Sequence, residues 1–214
     1  MTGTQIVQKF ELYTDDMTEL STEESLELAN DKAKVIYQEM SWEFLRKAFS
    51  GVTNADGTIT APADFVHFMH NYSEDPTSNL PETSVVFLNG TPYFVVPMGG
   101  RNNYNQANGV YGSQNICWYN PSTGKIEFPV SPGSGVSASF DYQRLPDDFT
   151  DVTSPLTPPG FERQFSMAIV YLMCIDDDII QKSEKARSNV SENGALYNKA
   201  LNSMKHHNAK FFFT

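Results

Sequence analysis

Residues Ser21–Phe49 read STEESLELANDKAKVIYQEMSWEFLRKAF. How far the helix that opens this stretch continues decides the fold. Ser21 and Glu24 make a capping box, in which each side chain satisfies a backbone donor that the first turn leaves over. Leu26, Ala29, Ala33, Ile36, Tyr37, Met40 and Phe44 then recur at three- and four-residue spacing, one face of a helix. Leu28, Val35, Trp42 and Phe49 recur at sevens, roughly 160° away from the first stripe at about 100° per residue. The pattern predicts one helix running to about Phe49, with two apolar stripes that must be covered on two sides. In a compact monomer such a helix would be central. In an oligomer its second stripe, with Leu28, Val35 and Trp42, would meet a neighbouring subunit.

Working outward, Ile6–Tyr13 is a short amphipathic segment, so residues 1–50 read as N-terminal helices. Residues 58–145 change to strands and turns. Val85–Leu88 and Tyr93–Val96 flank Asn89-Gly90, a dipeptide suited to the positive φ angles of a tight hairpin. Asn115–Tyr119 and Lys125–Phe128 flank a longer turn at 120–124, and Ser137–Tyr142 reads as a further strand. The polar run 99–106 between them reads as an exposed loop. After the break at Thr157-Pro158-Pro159-Gly160, residues 158–207 return to helical spacing. Phe161, Phe165, Ala168, Ile169, Leu172, Ile175 and Ile179 share one face. Ala186, Val190, Tyr197, Leu201 and Met204 mark a last helix, weakened at Asn193-Gly194. Residues 208–214 form a tail. The expected fold is a single α+β domain over 1–214: a helical bundle of three or four long helices with an inserted antiparallel β-hairpin region.

Composition narrows the partners. The chain has 214 residues, 40% hydrophobic and 19% charged, enough to bury a sizeable core. Its formal net charge is -11, from 26 acids against 15 bases, which argues against gripping nucleic acid or anionic lipid. Two distant cysteines, Cys117 and Cys174, make neither a disulfide framework nor a zinc site, and suit a reducing compartment. No signal peptide is read at the N-terminus, and the longest apolar run, Phe165–Ile175, is too short for the roughly 20 residues that span a bilayer. The expectation is a soluble protein made in the cytoplasm.

Several groups invite a chemical reading. Asp176-Asp177-Asp178 fans out around a helix at about 100° per residue, so it reads as scaffolding, with Asp178 paired to Lys182 and Asp176 reaching a base on the last helix. Residues 52–64, VTNADGTITAPAD, imitate a calcium loop but carry Val52 and Ala63 where its two key carboxylates belong. A turn between strands is the plainer reading. Asp64, His67 and His70 could recruit a metal for hydrolysis only if the histidines shared a helical face; a strand would separate them. His206-His207 is a weaker pair still. No nucleophile or phosphate-cradling motif is present, so no catalytic residue, metal or cofactor is assigned. Phe211-Phe212-Phe213 would be costly to leave in water. They either fold back on their own core or hook onto another subunit or partner.

The run 6–47, the Trp42-Glu43-Phe44-Leu45 element near the helix end and the Pro62-Ala63-Asp64-Phe65 step into the sheet resemble phage head-to-tail adaptor (connector) proteins. So does the passage Phe140-Asp141-Tyr142 to Leu145-Pro146-Asp147-Asp148-Phe149, followed by two long helices. The resemblance covers most of the chain as an order of elements. It implies a non-enzymatic virion structural protein at the head–tail junction, binding the portal protein, neighbouring copies in a dodecameric ring and a tail or nozzle protein. DNA would pass through only as cargo. The contacts would come from Phe211, Phe212, Phe213, Trp42, Leu28 and Val35. Residues 84–135 are longer and richer in glycine and asparagine than a minimal adaptor needs. An alternative is a tail-associated or carbohydrate-binding β module, with Trp118, Tyr104 and Tyr111 as an aromatic platform.

Overall fold

The helix that opens at Thr22 stops at Gln38, eleven residues short of the expected Phe49. The structure, a computed structural model, describes residues 1–14, 20–69, 84–100, 115–181 and 184–210. Within these the chain divides into two units: residues 1–44 with 145–214, and residues 45–144.

The first unit contains α1 (Gly3–Tyr13), α2 (Thr22–Gln38), α3 (Glu162–Gln181) and α4 (Glu184–Lys210). Both N-terminal helices begin with a capping box, Thr2 with Gln5 and Ser21 with Glu24. The core is Ile6, Val7 and Phe10 from α1, with Ala29, Ala33, Ile36 and Tyr37 from α2. Phe165, Ala168, Ile169, Met173 and Cys174 from α3 and Leu201 and Met204 from α4 complete it. Helix α3 touches each of the other three, which is why it is apolar around most of its circumference. Helix α4 runs unbroken through Asn193-Gly194, where a weak point was expected. The segment between the units and α3 is tied to α2 by side chains. Asn30 Nδ2 donates to the carbonyl of Phe149 and Asn30 Oδ1 accepts from its N–H, both at 3.0 Å. Tyr37 Oη donates to the carbonyl of Leu156 at 3.0 Å.

The second unit is a nearly closed, mixed eight-stranded sheet. Its strands are β1 (Arg46–Val52), β2 (Ile59–Thr60), β3 (Phe65–Phe68), β4 (Val85–Leu88), β5 (Thr91–Val95), β6 (Ile116–Asn120), β7 (Lys125–Glu127) and β8 (Ser137–Arg144). The order is β1-β8-β4-β5-β6-β7-β2, with β3 also on β8. All pairs are antiparallel except β5–β6. Along one edge of β8, β1 pairs from Arg46↔Gln143 to Val52↔Ser137. Along the other, β4 takes the start of the strand and β3 its end. A bulge between Phe65 and His67 bends β3. The strands thereby curl around one core of Ile59, Phe68, Val86, Leu88, Cys117, Ile126, Phe140 and Tyr142. Asn89 (φ 47°) and Gly90 (φ 80°) form the tight turn that their sequence suggests.

The expected fold class is therefore corrected. The protein is α+β but is dominated by this sheet, with four described helices, and is not a bundle of long helices carrying a hairpin insertion. The physical reason lies at residues 39–52. Trp42 turns inward and ends α2, and Phe49, the fourth member of the seven-residue stripe, stacks on Phe140 of β8 at 4.6 Å. That stripe was two structures read as one.

Candidate interaction site

The end of α4 and the Ser41–Phe44 link following α2 build the most distinctive surface of the helical unit. Trp42 is wholly buried, and its indole N–H donates to the carbonyl of Ile36 at 2.9 Å. Asn208, also buried, holds the link from the other side. Its Oδ1 accepts from the N–H of Glu43 at 3.0 Å, and its Nδ2 donates to the carbonyl of Ser41 at 2.9 Å. One amide therefore satisfies both a donor and an acceptor of irregular backbone, which is what a buried loop requires. Lys205 adds an ion pair to Glu39 at 3.1 Å.

Phe44 then packs among Tyr37, Trp42 and Phe165, with ring centres 5.7–6.5 Å away. Across from it, Pro158-Pro159-Gly160-Phe161 forms a turn in which Phe161 N–H donates to the carbonyl of Pro158 at 3.0 Å. Gly160 has φ 78°, the left-handed position after a proline that a type II turn demands. The Phe161 ring lies 4.4 Å from that of His207. Between these parts opens a hollow of about 290 Å³ lined by Glu43, Phe44, Pro158, Pro159, His207 and Asn208. Its walls are mainly apolar, with Glu43 and His207 supplying polar edges.

The expected contact residues separate. Val35 is 44% exposed on α2, Leu28 is half-buried two turns before it, and Trp42 lies off the helix inside its own unit. Phe211, Phe212 and Phe213 lie outside the described residues, as do Tyr104, Tyr111, His70 and Lys182. Trp118 is no exposed platform. It is buried, and its indole N–H donates to Glu127 Oε2 at 2.9 Å.

The suggested metal triad finds its acid engaged elsewhere. Asp64 Oδ2 pairs with Lys47 Nζ and Oδ1 accepts from Tyr142 Oη, each at 2.8 Å. Burial alone would raise the pKa of Asp64, but these two bonds outweigh it and hold the carboxyl below its ordinary value. His67 sits on strand β3 and not on a helix. Within residues 52–64, 53–58 form the turn between β1 and β2, where Asp56 binds Thr58 and pairs with Lys125 at 2.6 Å, and the rest supplies the end of β1, the whole of β2 and the step to β3. Among the described residues no group of three or more His, Cys, Asp or Glu comes together to hold a metal. Asp176 pairs with Lys32 of α2, not with the last helix, and Asp177 is buried. No described helix is long and apolar enough to cross a membrane.

Sequence reading missed the hollow. Pro158-Pro159 registered only as a break, and His207 only as half of a weak metal pair. One signal was present: Asn208, a poor residue for a helix interior, sits one turn after the apolar Met204. No protein-family model matches the chain, and no curated protein matches it.

Proposed function

We propose that the chain is a virion structural protein, a ring-forming head-to-tail adaptor that binds the portal and extends the DNA channel toward the tail. The observation that supports this reading best is the pair Leu28 and Val35, the two members of the seven-residue spacing that stay on α2. Val35 is exposed, and Leu28, seven residues earlier, is only half covered by its own chain. A helix that leaves these apolar positions uncovered suits lateral contact between copies arranged around a ring. The order of elements, helices then sheet then helices, is also that of the adaptors the sequence resembles. The net charge of -11 suits a conduit past which DNA slides without being held. The reading assigns no catalytic group and no cofactor. It places the protein at the head–tail junction after synthesis in the host cytoplasm.

Electron microscopy of the protein mixed with the portal protein encoded near it tests the reading. A ring seated on the narrow end of the portal is expected, and Val35→Asp should prevent ring closure while leaving the melting temperature of the isolated chain unchanged. Bare portals beside a chain that stays monomeric at every concentration would overturn it.

A further inference from the structure

The turn between β4 and β5 places a reactive dipeptide at the surface. Asn89 and Gly90 are both exposed, with positive φ angles of 47° and 80°. A Cβ built on Gly90 would meet nothing within 4 Å, so no neighbouring group crowds this part of the turn. Leu88↔Thr91 is the last rung of the β4–β5 ladder, which leaves the Gly90 N–H beyond it. The Asn89 side chain is held against the start of β8. Its Oδ1 accepts from the N–H of Ser137 at 3.2 Å, and the Asn89 N–H donates to the carbonyl of Ser137 at 2.9 Å.

An asparagine followed by glycine can close on itself. The Gly90 nitrogen gives up its proton to hydroxide and bonds to Asn89 Cγ. The Cγ–Nδ2 bond breaks, and Nδ2 takes a proton from water and leaves as ammonia. Water then opens the succinimide ring at either carbonyl, giving aspartate or isoaspartate. Glycine favours the closure because it has no Cβ to obstruct it. Negative charge builds on Asn89 Oδ1 as the new bond forms, and the Ser137 N–H already donates to that oxygen. Asn193-Gly194 is the same dipeptide inside α4. There the helix fixes the dihedral angles and bonds each N–H four residues back, so ring closure requires a local opening first.

We propose that Asn89 is a self-modifying site, whose conversion through a succinimide to isoaspartate loosens β4 from β8. The proposal concerns the chain alone and does not depend on the adaptor reading. The β4–β8 pairing is short, Phe87↔Ser139 and Leu88↔Ala138, and the two Asn89–Ser137 bonds extend it. Isoaspartate routes the main chain through Cγ and lengthens it by one methylene. A two-residue turn sets the register of its strands and cannot absorb the extra atom. Aspartate keeps the chain length and can still accept from the Ser137 N–H, so it leaves the pairing in place.

Incubating the folded chain in mildly alkaline buffer, followed by tryptic peptide mapping with mass spectrometry, tests it. Asn89-Gly90, Asn193-Gly194 and Asn108-Gly109, the last outside the described residues, fall in separate tryptic peptides. Asn89 should turn from amide to acid at least about tenfold faster than Asn193, which waits on local opening of α4. In denaturant the two rates should converge. The isoaspartate form, separated by ion exchange, should melt below the parent chain. Asn89→Gly leaves Gly-Gly, which suits the same turn, and should keep its melting temperature through an incubation that lowers the parent's. Equal rates at Asn89 and Asn193 in the folded chain, or conversion of Asn89 only in denaturant, would overturn the proposal. An isoaspartate form as stable as the parent, or an Asn89→Gly chain that loses stability as fast, would overturn it too.

Discussion

The indole N–H of Trp42 reaches the carbonyl of Ile36 in the last turn of α2, an acceptor it shares with the N–H of Glu39. The same side chain is wholly buried against its own unit. Trp42→Ala therefore removes both a packing anchor and a hydrogen bond to the helix end, and should destabilise the helical unit by about 3–5 kcal/mol, read by denaturant melts followed by circular dichroism. Trp42→Phe keeps most of the volume but loses the bond, so its cost should be nearer about 1 kcal/mol. Melting unchanged in both variants would place the energy of Trp42 elsewhere. At this scale the capping serine and the Asn89-Gly90 turn were legible in the sequence, because each acts on backbone within three residues of itself. The bonds of Asn30 to Phe149 and of Asn208 to the Ser41–Glu43 link join residues more than 100 apart. Nothing local in the sequence could announce them.

At the scale of elements, Lys47 of β1, Tyr142 of β8 and Asp64 just before β3 tie three parts of the sheet at one point. The folded pKa of Asp64 is lowered, because the bonds from Lys47 and Tyr142 outweigh the opposing effect of burial. A depressed carboxyl contributes stability that is fully present above its unfolded pKa, about 3.9, and is lost as pH falls through the folded value. Asp64→Asn should therefore be less stable than the parent at pH 7, with the gap closing below about pH 4. A gap that stays constant from neutral to strongly acid solution would show that the carboxylate charge is not what matters there. The strand reading failed where tertiary partners override local pattern. β1 alternates too weakly to announce itself, with Arg46, Lys47, Ala48 and Ser50 around a single aromatic. Phe49 becomes a sheet residue only because Phe140 lies opposite it in the β1–β8 register. The parallel pairing of β5 with β6 needs a crossover between the strands, which turn residues cannot signal.

At the scale of the whole molecule, the two units differ in how the chain enters them. The sheet unit is one continuous stretch, residues 45–144, whereas the helical unit is assembled from two stretches on either side of it. Arg46 pairs with Gln143, so the folded sheet holds its own two ends side by side, about 5 Å apart. The helical stretches are thereby delivered as neighbours. If the sheet unfolds, the helical unit must instead close a loop of about 100 residues, at an entropic cost of about 4 kcal/mol. Unfolding the helices imposes no such penalty on the sheet. Each unit carries one buried cysteine to report this asymmetry, Cys117 in the sheet and Cys174 in α3. Burial also pushes the Cys117 thiol well above its ordinary pKa, so it reacts only when the sheet opens. Phe140→Ala, which hollows the sheet core, should raise the rate of thiol labelling at both cysteines. Trp42→Ala should raise it at Cys174 and leave Cys117 protected. Equal effects of each substitution on both thiols would mean that the units unfold as one, and labelling confined to the substituted unit in both cases would mean that loop closure contributes little.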